Sequence, residues 1–94
     1  MSAYLIAIRK TLKDEDAMKA YAVAARPTLP KTSKLLARYG AHEDVESDPV
    51  DGVVLIEFGS LAEASEWYHS PAYQEAMKHR LKAGDYQVIL FEGV

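Results

Sequence analysis

Apolar residues recur along this chain with two periods. Four stretches follow the period of a strand and two follow the period of a helix. From Ala3 to Arg9, an extended backbone places Tyr4, Ile6 and Ile8 on one side and Leu5, Ala7 and Arg9 on the other. Both sides are largely apolar, as expected of a central strand covered on both faces. Val53 to Phe58 is almost continuously apolar and reads the same way. Ser33 to Ala41 predicts a strand with Leu36 on one face and Leu35, Ala37 and Tyr39 on the other. Tyr86 to Glu92 predicts the last strand.

The helical segments alternate with these strands. The first begins near Asp14-Glu15-Asp16, where acids oppose the positive end of the helix dipole. Met18, Tyr21, Ala22, Ala25 and Leu29 then form a stripe expected to face the sheet, with Pro27 and Pro30 marking the end. Ser60-Leu61-Ala62-Glu63 has the form of a capping box and opens the second segment, whose inner stripe is Leu61, Ala64, Ser65 and Tyr68. Ser70-Pro71 stops this helix and restarts it at once, because serine caps a helix start and proline tolerates the first helical position. Tyr73, Ala76, Met77 and Arg80 carry the stripe on until Ala83-Gly84-Asp85 breaks it.

The predicted order is βαββαβ over a single domain, residues 1–94. The expected class is α+β: a ferredoxin-like, four-stranded antiparallel sheet with two helices on one face. Two helices cover one face only, yet strands one, three and four are apolar on both. The helix-free face therefore calls for a partner, and the simplest is a second copy of the chain, giving a homodimer that encloses a cavity between two sheets.

Composition narrows the function classes. There are 14 acidic against 11 basic residues, for a net charge of −3. Nucleic acid is not expected as a partner, because phosphate backbones are held by clustered Lys and Arg. The third strand also lacks the basic-glycine-aromatic signature of an RNA-binding sheet. No apolar run approaches a membrane span, and the start of the chain lacks the pattern of a secretory signal. The absence of cysteine excludes thiolate metal sites and fits a reducing cytoplasm, the expected location.

The block Trp67-x-x-Ser70-Pro71-x-Tyr73, with Ile56-Glu57-Phe58, Ser60 and the terminal Glu92-Gly93, resembles domain of unknown function family 1330. The resemblance covers nearly the whole chain and is strongest from Val53 to Val94. It implies membership of the dimeric α/β-barrel superfamily. Members often carry a Gly-Gly pair where this chain has Thr32-Ser33, and an arginine where it has Asp51-Gly52. The wider superfamily includes cofactor-independent monooxygenases, haem-degrading enzymes, lactone isomerases and stress-responsive proteins. The haem type relies on an asparagine, and this chain has none.

Candidate chemistry centres on few residues. Glu57 shares a strand face with Val53 and Leu55; on a cavity wall it is a candidate base, and elsewhere a partner for Arg9 or Arg38. His42, after the second strand, is a second candidate base or a solvated loop residue. Tyr4, Tyr39 and Trp67, with Tyr86, are candidate walls for an aromatic ligand or fillers of core and interface. Arg9 and Arg38 are candidate grips for a ligand carboxylate, or ion-pair partners of Glu57 and Glu92. His69, at the helix break, is a further ligand-binding candidate or binds a backbone carbonyl.

No metal or cofactor is expected. Glu75 and His79 supply two ligands where zinc takes three or four, and the acidic loop has Pro49 and Leu55 where a calcium loop needs glycine and glutamate. The expected function is binding of a small apolar or aromatic molecule in the inter-sheet cavity. The alternatives are a cofactor-independent monooxygenase or isomerase using Glu57 or His42, and a non-catalytic stress-related module.

Overall fold

A computed structural model describes residues 1–94. The elements are β1 (Ala3–Leu12), α1 (Glu15–Ala25) ending in a 3-10 turn (Arg26–Thr28), β2 (Lys34–Arg38), β3 (Gly52–Phe58), α2 (Leu61–Tyr68), α3 (Pro71–Ala83) and β4 (Gly84–Glu92). The strands form one antiparallel sheet in the order β2-β3-β1-β4. Three α-helices stand where the expected order had two, because Ser70-Pro71 divides the second helical segment. The Ser70 hydroxyl accepts from the Tyr73 N–H at 3.2 Å and donates to the Trp67 carbonyl at 2.7 Å, closing one helix and opening the next. No helix is long and apolar enough to cross a membrane.

Register fixes the two faces of the sheet. Leu5, Ala7 and Arg9 of β1 stand beside Ile56, Val54 and Gly52 of β3 and beside Leu90, Val88 and Tyr86 of β4, all on the helix side. Tyr4, Ile6 and Ile8 share the open side with Val53, Leu55, Glu57, Ile89 and Phe91. The core lies between sheet and helices, with Phe58 and Tyr73 almost wholly enclosed. Trp67 packs on Tyr73 at 4.1 Å and on Phe58 at 5.4 Å between ring centroids. Its indole N–H donates to the Thr28 hydroxyl at 3.0 Å, so the one tryptophan ties α2 to the turn after α1.

Several local expectations are corrected. The second strand is shorter than Ser33–Ala41 and carries a bulge between Leu35 and Ala37. Leu35 and Arg38 therefore sit opposite Ile56 and Val54 on the helix side, while Ala37 sits opposite Leu55 on the other, and the common face for Leu35, Ala37 and Tyr39 is lost. Tyr39 leaves the strand with a φ of 51°. The buried residues of α2 are Ala64 and Trp67, whereas Leu61 is exposed, because the short helix is rotated to bring Trp67 inward.

The fourth strand starts at Gly84, two residues before Tyr86, so α3 runs into β4 with no linker. A Cβ at Gly84 would collide with the Thr11 carbonyl oxygen, which is why this junction takes glycine. Ser70→Ala is expected to lower stability by about 1 kcal/mol through loss of the cap. A urea midpoint equal to that of the unaltered protein would show that the break does not depend on the hydroxyl.

Candidate functional site

The sequence places small residues where the sheet faces α1. Ala7 of β1 and Ala22 and Ala25 of α1 all line a gap that these short side chains do not fill. The result is a cavity of about 510 Å³ between the sheet, α1 and α3. Leu5, Val54, Ile56, Trp67 and Val88 supply apolar wall, and Tyr21, Tyr39, Tyr73 and Tyr86 supply aromatic wall with hydroxyls. Lys19, Arg26, Leu35 and Arg38 are exposed and form the mouth, between α1 and the edge strand β2.

The polar groups inside are few and mostly paired with one another. Tyr21 and Tyr73 hydroxyls lie 2.8 Å apart, and Tyr39 and Tyr86 hydroxyls 2.6 Å apart. The Met18 sulfur accepts from Tyr86 at 3.1 Å and from Arg9 Nη1 at 3.2 Å. Arg9 lies over the Tyr39 ring at 3.9 Å and pairs through Nε with Asp51 at 2.6 Å. Arg80 reaches in from α3 and lies 5.1 Å from the Tyr86 ring centroid. Burial, then the nearby Tyr73 hydroxyl, pushes the Tyr21 phenol far above its usual range; burial, then the bond to Tyr86, does the same for Tyr39. These phenols are protonated at any ordinary pH and act as donors, not bases.

Five basic side chains line the cavity, Arg9, Lys19, Arg26, Arg38 and Arg80, and no acidic one does. In a chain with an excess of acids this is a concentration of positive charge.

The structure divides the residues singled out from the sequence. Arg9, Arg38, Tyr39 and Trp67 come together around the cavity. Tyr4 and Glu57 do not: they lie on the opposite sheet face, with the Tyr4 hydroxyl 3.4 Å from Glu57 Oε2. The pairing of Glu57 with Arg9 or Arg38 is therefore ruled out by register, and Arg9 takes Asp51 instead. His42 sits in the exposed loop before β3, with Nε2 3.1 Å from the Val50 carbonyl and 3.4 Å from Asp44. His69 is exposed at the end of α2, with Nδ1 2.9 Å from the Ser65 carbonyl. Tyr21, Tyr73 and Arg80 were not singled out as site residues. The available signal was Arg80 itself, a cation at core spacing in the stripe of Tyr73, Ala76 and Met77.

A family model described as domain of unknown function (DUF1330) matches residues 2–94. The chain belongs to the DUF1330 family. No curated protein matches this DUF1330 chain. Among solved structures it is similar to RPA0582, a protein of unknown function from Rhodopseudomonas palustris, at 24% identity and a TM-score of 0.70, covering 99% of this chain and 82% of that one. It is also similar to a dimeric ferredoxin-like protein of unknown function from Jannaschia sp. CCS1, at 20% identity and a TM-score of 0.68, covering 99% and 100%. A Dabb family protein with a ferredoxin-like fold from Mesorhizobium loti shares 12% identity and a TM-score of 0.61, covering 100% and 99%. These likenesses establish the ferredoxin-like fold of the DUF1330 chain.

The raised phenols give a pH prediction. Below the ordinary phenol pKa of 10.0, Tyr21 and Tyr39 hold their protons in the folded and the unfolded chain alike. Above it the unfolded chain releases protons that folded Tyr21 and Tyr39 retain, so stability falls as pH rises. Denaturation midpoints are expected to decline above that pH, and less steeply in the Tyr21→Phe, Tyr39→Phe double variant. Equal slopes would show that the two phenols are not held protonated by the fold.

Proposed function

We propose that this DUF1330 protein is a homodimer that binds a small, largely apolar or aromatic molecule, with one ligand site in each chain between sheet and helices. The observation that carries the ligand reading is the cavity itself. It combines aromatic and aliphatic walls with a few convergent donors, the composition of a small-molecule site rather than of a packed core. The proposed ligand position is behind each sheet, not between two sheets. Glu57 and His42 lie outside this cavity, and the raised Tyr21 and Tyr39 phenols inside it are donors, so the arrangement favours binding over proton abstraction.

The open sheet face supports the dimer. Tyr4, Ile6, Ile8, Val53, Leu55, Ile89 and Phe91 form one apolar surface without a helix over it, and Ile89 and Phe91 are 44% and 40% exposed in the single chain. Two such faces pressed together form a dimeric α/β barrel, and a stable interface of this kind removes roughly 800 Å² of each partner from water. The similar Jannaschia protein is described as dimeric. The lack of cysteine is consistent with a cytoplasmic setting.

Two measurements test these statements separately. Sedimentation at micromolar concentration is expected to show a particle of twice 10.4 kDa, reduced to a folded monomer by Leu55→Glu. A 10.4 kDa particle from the unaltered chain would overturn the dimer. Titration with naphthalene, followed by NMR, is expected to shift the Trp67 indole N–H and the Met18 methyl while leaving Ile6 and Leu55 unmoved. Shifts confined to the open face, or none, would overturn the ligand site.

A further inference from the structure

Arg80 is the one charged residue of the chain that is buried, at 5% exposure, and it makes no ion pair. Its Nε–H has no hydrogen-bond acceptor at all. The neighbouring cation in the cavity, Arg9, differs in having Asp51. A guanidinium stays charged at any ordinary pH, and a buried charge is costly unless an opposite charge and hydrogen bonds compensate it. The aromatic groups around it, the Tyr73 hydroxyl and the Tyr86 ring at 5.1 Å among them, are neutral and offer dipoles and a weak quadrupole, not an opposite charge. Nothing among the cavity walls supplies the missing negative charge, since no Asp or Glu lines it.

Two further features point the same way. Tyr21 and Tyr73 bond to each other, which uses one of their two hydroxyl protons and leaves the other for an acceptor. At the mouth, Lys19 and Arg38 are exposed cations that favour entry of an anion over a neutral molecule.

Resting on the cavity being a ligand site, we infer that its ligand is a small aromatic or aliphatic monocarboxylate whose carboxylate is received by Arg80. The planar guanidinium fork matches the two oxygens of a carboxylate, and the spare Tyr21–Tyr73 proton serves one of the remaining lone pairs. The apolar body of the ligand occupies the space that the alanines leave. The ligand thus completes a charge pair that the chain leaves half-built.

Isothermal titration with trans-cinnamate and with its neutral counterpart trans-cinnamamide, at neutral pH, decides the matter. Cinnamate is expected to bind about tenfold or more tightly than the amide, as an ion pair on the guanidinium replaces a contact between a charge and a dipole. Arg80→Met is expected to abolish the preference, weakening cinnamate far more than the amide so that the two bind equally. Equal binding of the two by the unaltered protein, or a preference that survives in Arg80→Met, overturns the carboxylate inference and leaves the cavity reading standing. Binding of neither overturns both. Should Arg80→Met not fold, the comparison of the two ligands on the unaltered protein still decides.

Discussion

The structure depends on one constraint: β1 must be kept dry on both faces at once. It lies between β3 and β4 and alternates apolar residues to either side, so it cannot serve an ordinary two-layer protein with one wet face. On the helix side, Leu5 and Ala7 are covered by α1, α2 and α3. On the other side Tyr4, Ile6 and Ile8 have only their strand neighbours. The helices, the cavity behind the sheet and the proposed dimer in front of it are three consequences of this two-sided strand.

Most of this plan was legible because strands and helices leave different periods in a sequence. The central strands, the stop and restart at Ser70-Pro71, and the unpaired apolar face follow from residues whose local physics is strong. The second strand was less legible. A bulge has no compositional signature, and the one between Leu35 and Ala37 reverses which residues face inward, carrying Arg38 to the cavity side. The rotation of α2 was also hidden, since Trp67 and Leu61 compete for the inner position and only packing against Phe58 and Tyr73 decides for the larger ring.

The cavity was hidden for a different reason. It is made by what is missing: Ala7 of β1 is remote in sequence from Ala22 and Ala25 of α1, Ala7 and Ala25 are buried, Ala22 is exposed, and none of them is distinctive alone. Only the folded chain shows that they line one cavity. The same holds for its charge. Arg9, Arg38 and Arg80 come from three separate elements, and a net charge of −3 gives no hint that basic groups converge while the acids stay outside. Asp51 is the exception that proves informative. It satisfies Arg9, so that Arg80 remains the one buried cation without an opposite charge.

Gly84 lets α3 pass directly into β4. The Gly84 N–H closes on the Arg80 carbonyl, and the Ala83 carbonyl accepts from the Lys13 and Asp14 N–H groups at 2.7 and 3.0 Å. The last turn of the helix is thus pinned to the end of β1 by main-chain bonds alone. The backbone from which the α3 cation projects is consequently held by the sheet's own ladder, so a guest at the proposed site would meet a rigid stem and would not first have to freeze a wandering loop.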